Sequence, residues 1–128
     1  MKLLLDTHVF LWWLTDSPKL SAPARAAIAA PENDTLVSAV VGWECATKHR
    51  LGKLPEAEHF MTQADSVIRR AGMTPFALTL KHALRAGGYE VGHADPFDRM
   101  LAAQSELDNL TLVTRDPAFT QFPIRTLW

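Results

Sequence analysis

The stretch that decides the fold opens the chain and reads Lys2-Leu3-Leu4-Leu5-Asp6-Thr7-His8, followed by the apolar segment Val9–Leu14. An uninterrupted apolar run of this length is typical of a strand that is buried on both faces of a parallel sheet. Asp6 and Thr7 stand directly after it, and Val9–Leu14 has the character of a helix. The opening therefore predicts a β-strand that leads into an α-helix, with a carboxylate at the turn between them.

Similar apolar runs recur along the chain and alternate with helical patterns. Further strands are predicted at Thr35–Ser38, Met73–Leu78, Leu110–Thr114 and Pro123–Trp128. Helices are predicted at Ala24–Ala30 behind an N-cap at Ser21, from about Val40 through Leu51, at Phe60–Ala71, at Leu80–Ala86 and from Pro96 to Leu107. Strands alternating with helices predict a three-layer α/β/α sandwich with a mainly parallel sheet. Residues 1–128 suit a single domain with one core.

Glycines are expected to end three of these helices. Gly52 and Gly72 each stand just beyond the last apolar residue of a helical pattern, where a left-handed conformation is favoured. The pair Gly87-Gly88 is expected to end the helix that begins at Leu80.

The composition narrows the possible functions. A formal charge of −1 argues against a protein that holds nucleic acid by bulk electrostatics, although Lys48, His49, Arg50 and Lys53 form a local basic group that either meets phosphates or is a solvated helix face. The single Cys45 excludes an internal disulfide and fits a cytoplasmic protein. No apolar stretch reaches the roughly 20 residues that a membrane helix requires, so no membrane role is expected.

Four acidic residues stand where apolar elements end or turn: Asp6, Glu44, Asp98 and Asp116. Because the carboxyl ends of parallel strands share one edge of a sheet, these side chains are expected to converge there. A cluster of carboxylates repels itself unless a hard cation neutralises it, and Mg²⁺ or Mn²⁺ is the natural occupant. The pattern predicts metal-assisted hydrolysis of a phosphodiester, with all four acids as metal or catalytic residues.

Each acid also has a purely structural interpretation. Asp6 can cap the helix that follows it, and Asp116 can cap a turn that begins at Pro117. Glu44 can pair with Lys48 one turn later, although its apolar neighbours indicate that Glu44 is partly buried. Asp98 benefits from a helix dipole but is interpreted as a metal ligand.

Several residues near these acids receive supporting or structural interpretations. Asp95, directly before Pro96, is assigned mainly to capping. Thr114 can contribute a hydroxyl, and Arg99 and Arg115 can contact phosphate, balance the acids or form ordinary ion pairs. Cys45 is interpreted as a small core residue, and no structural zinc is predicted. The tryptophans Trp12, Trp13 and Trp43 either stack on RNA bases or belong to the core or an oligomer interface.

Four blocks of sequence resemble the PIN-domain ribonucleases, and specifically their VapC toxin branch. The blocks are Leu3-Leu4-Leu5-Asp6-Thr7-His8 with Leu11-Trp12-Trp13-Leu14, Ser38-Ala39-Val40 leading to Trp43-Glu44 and to Lys48-His49-Arg50-Leu51-Gly52-Lys53-Leu54, His93-Ala94-Asp95-Pro96-Phe97-Asp98-Arg99-Met100-Leu101-Ala102-Ala103-Gln104, and Leu112-Val113-Thr114-Arg115-Asp116. Asp6, Glu44, Asp98 and Asp116 match the acidic quartet of that family, and Thr114 matches its frequent Ser/Thr. Val41-Gly42 departs from the pattern and is expected to affect the helix near Glu44.

The resemblance implies a Mg²⁺- or Mn²⁺-dependent enzyme that cuts RNA, a homodimer, and a cognate VapB-like antitoxin as its inhibitor. Asp6 and Asp98 would be the principal metal ligands, with Glu44 acting on the attacking water and Asp116 acting on a second ion or through water. Two alternatives stay open. Instead of a toxin, the chain could be an RNA-processing nuclease outside a toxin pair or a PIN-like binding module without turnover.

Overall fold

A parallel sheet runs through the centre of the molecule. In the computed structural model, which describes Met1–Trp128, its strands are β1 (Lys2–Leu5), β2 (Asp34–Ser38), β3 (Thr74–Phe76), β4 (Thr111–Val113) and β5 (Arg125–Leu127). They lie in the order β3-β2-β1-β4-β5, and each pair of neighbours is parallel. The chain builds outward from β1 to β3 and then returns to place β4 on the other side of β1. The boundary between β1 and β4 is therefore the point where strand order reverses, and such sheets bind ligands beyond that point.

Seven α-helices connect and flank the strands. They are α1 (Thr7–Leu14), α2 (Ala22–Ala29), α3 (Ala39–Arg50), α4 (Glu58–Thr62), α5 (Ala64–Arg70), α6 (Leu80–Gly88) and α7 (Pro96–Leu107), with 3-10 helices at Pro55–Ala57 and Pro117–Gln121. The predicted α/β/α sandwich with a parallel sheet is confirmed. No helix combines the length and apolar character that crossing a membrane would need.

The apolar opening of the chain forms the middle of the core. Leu3, Leu4 and Leu5 have no solvent exposure, because β1 is paired on both edges and covered on both faces. Each such leucine contributes about 1.5–3 kcal/mol through its burial. The strand that the sequence predicts most clearly is thus also the one that fixes where Asp6 emerges.

Helix ends follow the expected chemistry in several places. The Ser21 hydroxyl accepts a hydrogen bond from the Ala24 amide at 3.2 Å, and the Ser38 hydroxyl accepts one from the Val40 amide at 2.9 Å. Gly52 and Gly72 have φ values of 76° and 70°, in the left-handed region that favours glycine. These positions confirm the predicted ends of α3 and α5.

Three expectations about helices were wrong. The pattern Phe60–Ala71 is not one helix, because the backbone at Gln63 (φ −131°, ψ 35°) leaves the helical region and separates α4 from α5. Gly87-Gly88 form the last turn of α6 rather than stopping it earlier. The unusual Val41-Gly42 does not disturb α3, which continues without a break from Ala39 to Arg50.

Candidate active site

All four predicted acids line one cavity of about 370 Å³ at the carboxyl ends of the central strands. The full lining is Asp6, His8, Val9, Trp12, Glu44, Lys48, Asp98, Arg115, Asp116 and Pro117. These residues come from positions far apart in the chain, and the parallel sheet brings them together at one edge. The expected convergence is therefore present.

Asp6 caps α1, as the sequence allowed, and both of its carboxylate oxygens accept hydrogen bonds. Its backbone amide continues the β1–β4 ladder by donating to the Val113 carbonyl at 3.1 Å. Oδ1 accepts a hydrogen bond from the Thr7 amide at 2.7 Å, which caps α1, and Oδ2 accepts one from the Thr114 hydroxyl at 2.7 Å. The carboxylate is consequently held in one orientation at the cavity.

Glu44 is buried, as its apolar neighbours predicted, with 4% of its surface exposed. Oε1 accepts a hydrogen bond from the Thr7 hydroxyl at 2.5 Å, and Oε2 pairs with the Lys48 ammonium one helical turn later. A buried carboxylate needs such partners, since an unpaired buried charge costs several kcal/mol. The pair with Lys48 therefore differs from an exposed helix pair, which contributes only about 0.3–0.5 kcal/mol.

Asp98 lies in the first turn of α7 and is oriented by a histidine. Its Oδ2 is 2.7 Å from Nε2 of His93, and its side chain is 14% exposed. Asp95 caps the same helix by accepting hydrogen bonds from the Phe97 and Asp98 amides at 2.8 and 3.1 Å. The capping role assigned to Asp95 is confirmed, and Asp98 is left to face the cavity.

Asp116 stands at the exposed rim of the cavity. Its Oδ1 accepts a hydrogen bond from the Ala118 amide at 2.9 Å and so caps the 3-10 helix at Pro117–Gln121. The Asp116 amide donates to the Thr114 hydroxyl at 3.1 Å. Thr114 thus connects two of the acids, because the same hydroxyl donates to Asp6.

Arg99 does not line the cavity, unlike the other supporting residue Lys48. Its guanidinium donates to the carbonyls of Ala86, Tyr89 and His93 at 2.9, 2.6 and 2.8 Å. Arg99 therefore fixes the loop between α6 and α7, and it acts on the site only by holding the segment that carries His93.

The electrostatics of the cavity disfavour the charged forms of Asp6 and Asp98. Burial raises the pKa of Asp6, and the neighbouring charge of Glu44 adds to this rise, while hydrogen bonds from Thr114 and Thr7 oppose it. Burial also raises the pKa of Asp98 to about 6, with further contributions from the charges of Asp95, Asp6 and Glu44 and an opposing hydrogen bond from His93. A positive ion at this point would relieve both effects.

The donors present suit Mg²⁺ or Mn²⁺. They are carboxylate oxygens, which hard divalent cations prefer. No three of the chain's His, Cys, Asp and Glu side chains stand close enough together to hold an ion jointly. A cation here would be held by at most two of these side chains, and Mg²⁺ commonly keeps several waters beside one or two carboxylates. Asp6 and Asp98 fit that role, since both line the cavity and the charge of Asp6 contributes to the raised pKa of Asp98.

Two contacts of the site were not predicted from the sequence. The hydrogen bond from Thr7 to Glu44 joins residues 37 positions apart, and His93 approaches Asp98 across the turn before α7. The blocks that carry the family resemblance contain both Thr7 and His93, but no spacing rule assigns them these partners.

Cys45 is a core residue, as interpreted from the sequence. It is fully buried, and burial raises the pKa of its thiol to about 12, so the thiolate that a nucleophile requires is absent at neutral pH.

The fold and the site are those of an α/β/α sandwich with four acids at one end of its parallel sheet, and the sequence assigns its family. The model of the PIN domain family matches residues 3–124. The chain therefore belongs to the PIN domain family.

Within that family the chain is similar to two proteins of Mycobacterium tuberculosis (strain ATCC 25618 / H37Rv). Ribonuclease VapC22 is 29% identical over 117 residues, which cover 88% of this chain and 85% of that protein. Ribonuclease VapC16 is 36% identical over 77 residues, which cover 56% of this chain and 55% of that protein, so this match spans about half the length of each. The resemblance to VapC proteins is confirmed.

Solved structures share the fold at low sequence identity. VapBC2 from Rickettsia felis, bound to a DNA fragment from its promoter, has a TM-score of 0.67 and 19% identity, and covers 99% of this chain and 98% of that chain. VapC20 of Mycobacterium tuberculosis, described as a sarcin-ricin loop cleaving toxin, has a TM-score of 0.63 and 15% identity, with 92% of each chain covered. These similarities agree with the architecture described above.

Proposed function

We propose that the protein is a metal-dependent ribonuclease that hydrolyses RNA phosphodiester bonds as the toxin of a VapBC-type pair. The observation that carries the proposal is the convergence of Asp6, Glu44, Asp98 and Asp116 on one cavity in a member of the PIN domain family. The names of the relatives VapC16 and VapC22 support RNA as the substrate class. A cytoplasmic location, where RNA is accessible, is part of the proposal.

The proposed division of labour follows the contacts of each side chain. Asp6 and Asp98 would hold Mg²⁺ or Mn²⁺, with Thr114 and His93 fixing their orientation. The chemistry that such a cation would supply is polarisation of the phosphodiester and a lowered pKa of the water bound to it.

The other charged residues of the cavity would position water or offset the charge of the phosphate. Glu44 keeps free lone pairs after bonding to Thr7 and Lys48, and these would orient the attacking water and accept its proton. The Lys48 ammonium lies beside the cavity and would offset the charge of the phosphate. Asp116, at the exposed rim, would act through water or on a second ion.

Cleavage of total RNA by the purified protein tests the enzymatic proposal. The protein is incubated with Mg²⁺ or Mn²⁺, or with EDTA, beside Asp98→Asn and the charge-matched control Glu32→Gln, an exposed substitution outside the cavity. Discrete fragments should appear only with metal, persist in the control and be lost in Asp98→Asn. Undiminished cleavage in EDTA or by Asp98→Asn would refute the assigned centre.

The toxin role needs a test of its own. Expression of the wild-type chain in a bacterial host should arrest growth, Asp98→Asn should not, and co-expression of a VapB-like antitoxin from a neighbouring gene should restore growth. RNA cleavage in vitro without growth arrest would favour a processing nuclease outside a toxin pair. A folded protein that binds RNA but does not cut it would favour a PIN-like binding module.

A homodimer is also proposed, and one face of α6 supports it. Leu80 and Leu84 are 77% and 69% exposed and form an apolar ridge on this helix. Beside the ridge lies an apolar groove of about 220 Å³ whose lining includes Ala83, Gly87 and Met100. In the proposed dimer, a two-fold axis would place the ridge of one copy in the groove of the other.

A further inference from the structure

The cavity contains one cation that none of its carboxylates neutralises. Of the two cations in the lining, Lys48 is paired with Glu44, whereas Arg115 forms no ion pair or side-chain hydrogen bond. Arg115 is exposed and adjoins Asp116. An arginine that leaves nearby carboxylates unpaired is available for another anion.

The Arg115 side chain is nevertheless placed by the fold. Its guanidinium carbon lies 4.7 Å from the centre of the Trp12 ring, in a cation–π arrangement. Trp12 is half-buried and is supported from other sides by Trp128 and His8, with ring centroids 6.0 and 5.8 Å away. Trp12 thus forms a fixed platform, and the face covered by Arg115 is not free to stack on a base.

The backbone on both sides of Arg115 is held as well. Thr114 donates to Asp6 and accepts from the Asp116 amide, and Asp116 caps the 3-10 helix that follows. The position of Arg115 is therefore tied to that of the carboxylate proposed as a metal ligand. A guanidinium with all its donors unused can bind phosphate oxygens in a bidentate manner.

We propose that Arg115, held on Trp12, binds a backbone phosphate of the RNA substrate at the rim of the cavity. This inference rests on the proposed ribonuclease function and assigns that function a substrate-binding residue. Arg115 contacts the substrate, and Trp12 is a positioning residue that acts through Arg115. The pair attracts the polyanion toward a cavity whose four carboxylates would otherwise repel it.

The test measures RNA binding separately from chemistry. All variants are made in the Asp98→Asn background, and their affinity for a short fluorescein-labelled single-stranded RNA of random sequence is measured by anisotropy across KCl concentrations at constant MgCl₂. Arg115→Gln should weaken binding about fivefold to tenfold and lower the salt slope by roughly one. Arg70→Gln removes the same charge from an exposed position of α5 outside the cavity and should change neither quantity.

Substitutions of Trp12 test whether it positions Arg115 or only supports the fold, and the measured quantity is again RNA affinity. Trp12→Leu should weaken RNA binding, and combining it with Arg115→Gln should add little, because both substitutions remove the same contact. Trp12→Phe keeps an aromatic face and should restore most of the affinity. In an otherwise wild-type chain, Arg115→Gln should raise KM for RNA cleavage far more than it lowers kcat.

The outcomes distinguish this inference from the proposed function. If the parent binds RNA and wild type cleaves it, but Arg115→Gln has the parent's affinity and salt slope, the inference is wrong and the ribonuclease proposal stands. The inference also fails if the effects of Arg115→Gln and Trp12→Leu multiply as independent losses. Absence of both RNA binding and RNA cleavage would overturn the ribonuclease proposal and this inference together.

Discussion

The acids of the cavity combine structural contacts with a place in the proposed metal site. Asp6 caps α1 with one oxygen and is oriented by Thr114 through the other, and Asp116 caps a 3-10 helix while lining the same cavity. A cap constrains the carboxylate, so that capping here serves the geometry of the site. The structural and functional interpretations of these residues are therefore compatible.

The charge on Asp98 should make the metal-free protein less stable. Because its pKa is about 6 in the folded protein against 3.8 when unperturbed, the folded state binds the proton more tightly than the unfolded chain. Protonation of Asp98 therefore contributes to the free energy of unfolding. This contribution is complete below pH 3.8 and is lost as pH rises through 6. The helix dipole at the start of α7 favours the charge by only about 0.3–1 kcal/mol, less than the opposing effect of burial.

Asp98→Asn should accordingly raise the free energy of unfolding by about 1–3 kcal/mol at pH 7.5 in EDTA, while it abolishes cleavage. The gain should shrink toward zero near pH 4, where the wild-type side chain is also neutral. Urea denaturation at both pH values measures it, with Glu32→Gln as the charge-matched control. A variant that is less stable than wild type at pH 7.5, or a gain independent of pH, would contradict this assignment.

The burial and capping roles of single residues could be predicted from the sequence more fully than the contacts between distant residues. The burial of Glu44 follows from its apolar neighbours, and the caps at Asp6, Asp95 and Asp116 follow from local chemistry. For Arg99 the sequence left phosphate contact, charge balance of the acids and an ordinary ion pair open. It instead donates to carbonyls of the preceding loop, because tertiary folding brings that loop against α7. Contacts of this kind depend on the packing of elements and leave no local pattern.

At the scale of elements, α3 shows how a helix tolerates an internal glycine. Gly42 lies inside this helix, and apart from its chain neighbours and the helix backbone itself, nothing lies within 4 Å of where its Cβ would be. Burial of Val40, Val41 and Cys45 on the core side keeps the helix intact despite the cost of an internal glycine. The sequence missed the boundaries at Gln63 and at Gly87-Gly88, because residue propensities alone fix a helix end only weakly.

Gly42→Ala should therefore stabilise the protein by about 0.5–1 kcal/mol, because alanine loses less backbone entropy in a helix and meets no neighbour here. Thermal unfolding monitored by circular dichroism measures the gain. RNA cleavage should be unchanged, since Gly42 does not line the cavity. A destabilised Gly42→Ala would show that the space beside α3 is needed, for instance by a second subunit.

On the scale of the whole molecule, the order of the strands explains where the site lies. β1 and β4 adjoin at the reversal of strand order, and their ends deliver Asp6, Thr114 and Asp116 to one place. This convergence could be predicted from the sequence, because apolar strands followed by acids in a parallel sheet leave few alternatives. The distance between the acids and the number of ions they bind could not, since both depend on side-chain geometry.

The exposed apolar face of α6 leads to a prediction about the oligomeric state. Leu84→Glu places a charge on the exposed ridge and should convert a homodimer into a monomer at micromolar concentration, which light scattering after gel filtration would measure. Lys81→Glu changes an exposed residue of the same helix outside the apolar ridge and groove and should leave the mass unchanged. A wild-type chain that is monomeric, or a dimer that persists in Leu84→Glu, would rule out this interface.

The central claim is that Asp6 and Asp98 hold a divalent cation in the cavity, and calorimetric titration of Mn²⁺ tests it most directly. Wild type and Glu32→Gln should show the same saturable binding, and folded Asp6→Asn should bind at least about tenfold more weakly. Equal affinity in Asp6→Asn and wild type, or no saturable binding by wild type, would contradict the claim.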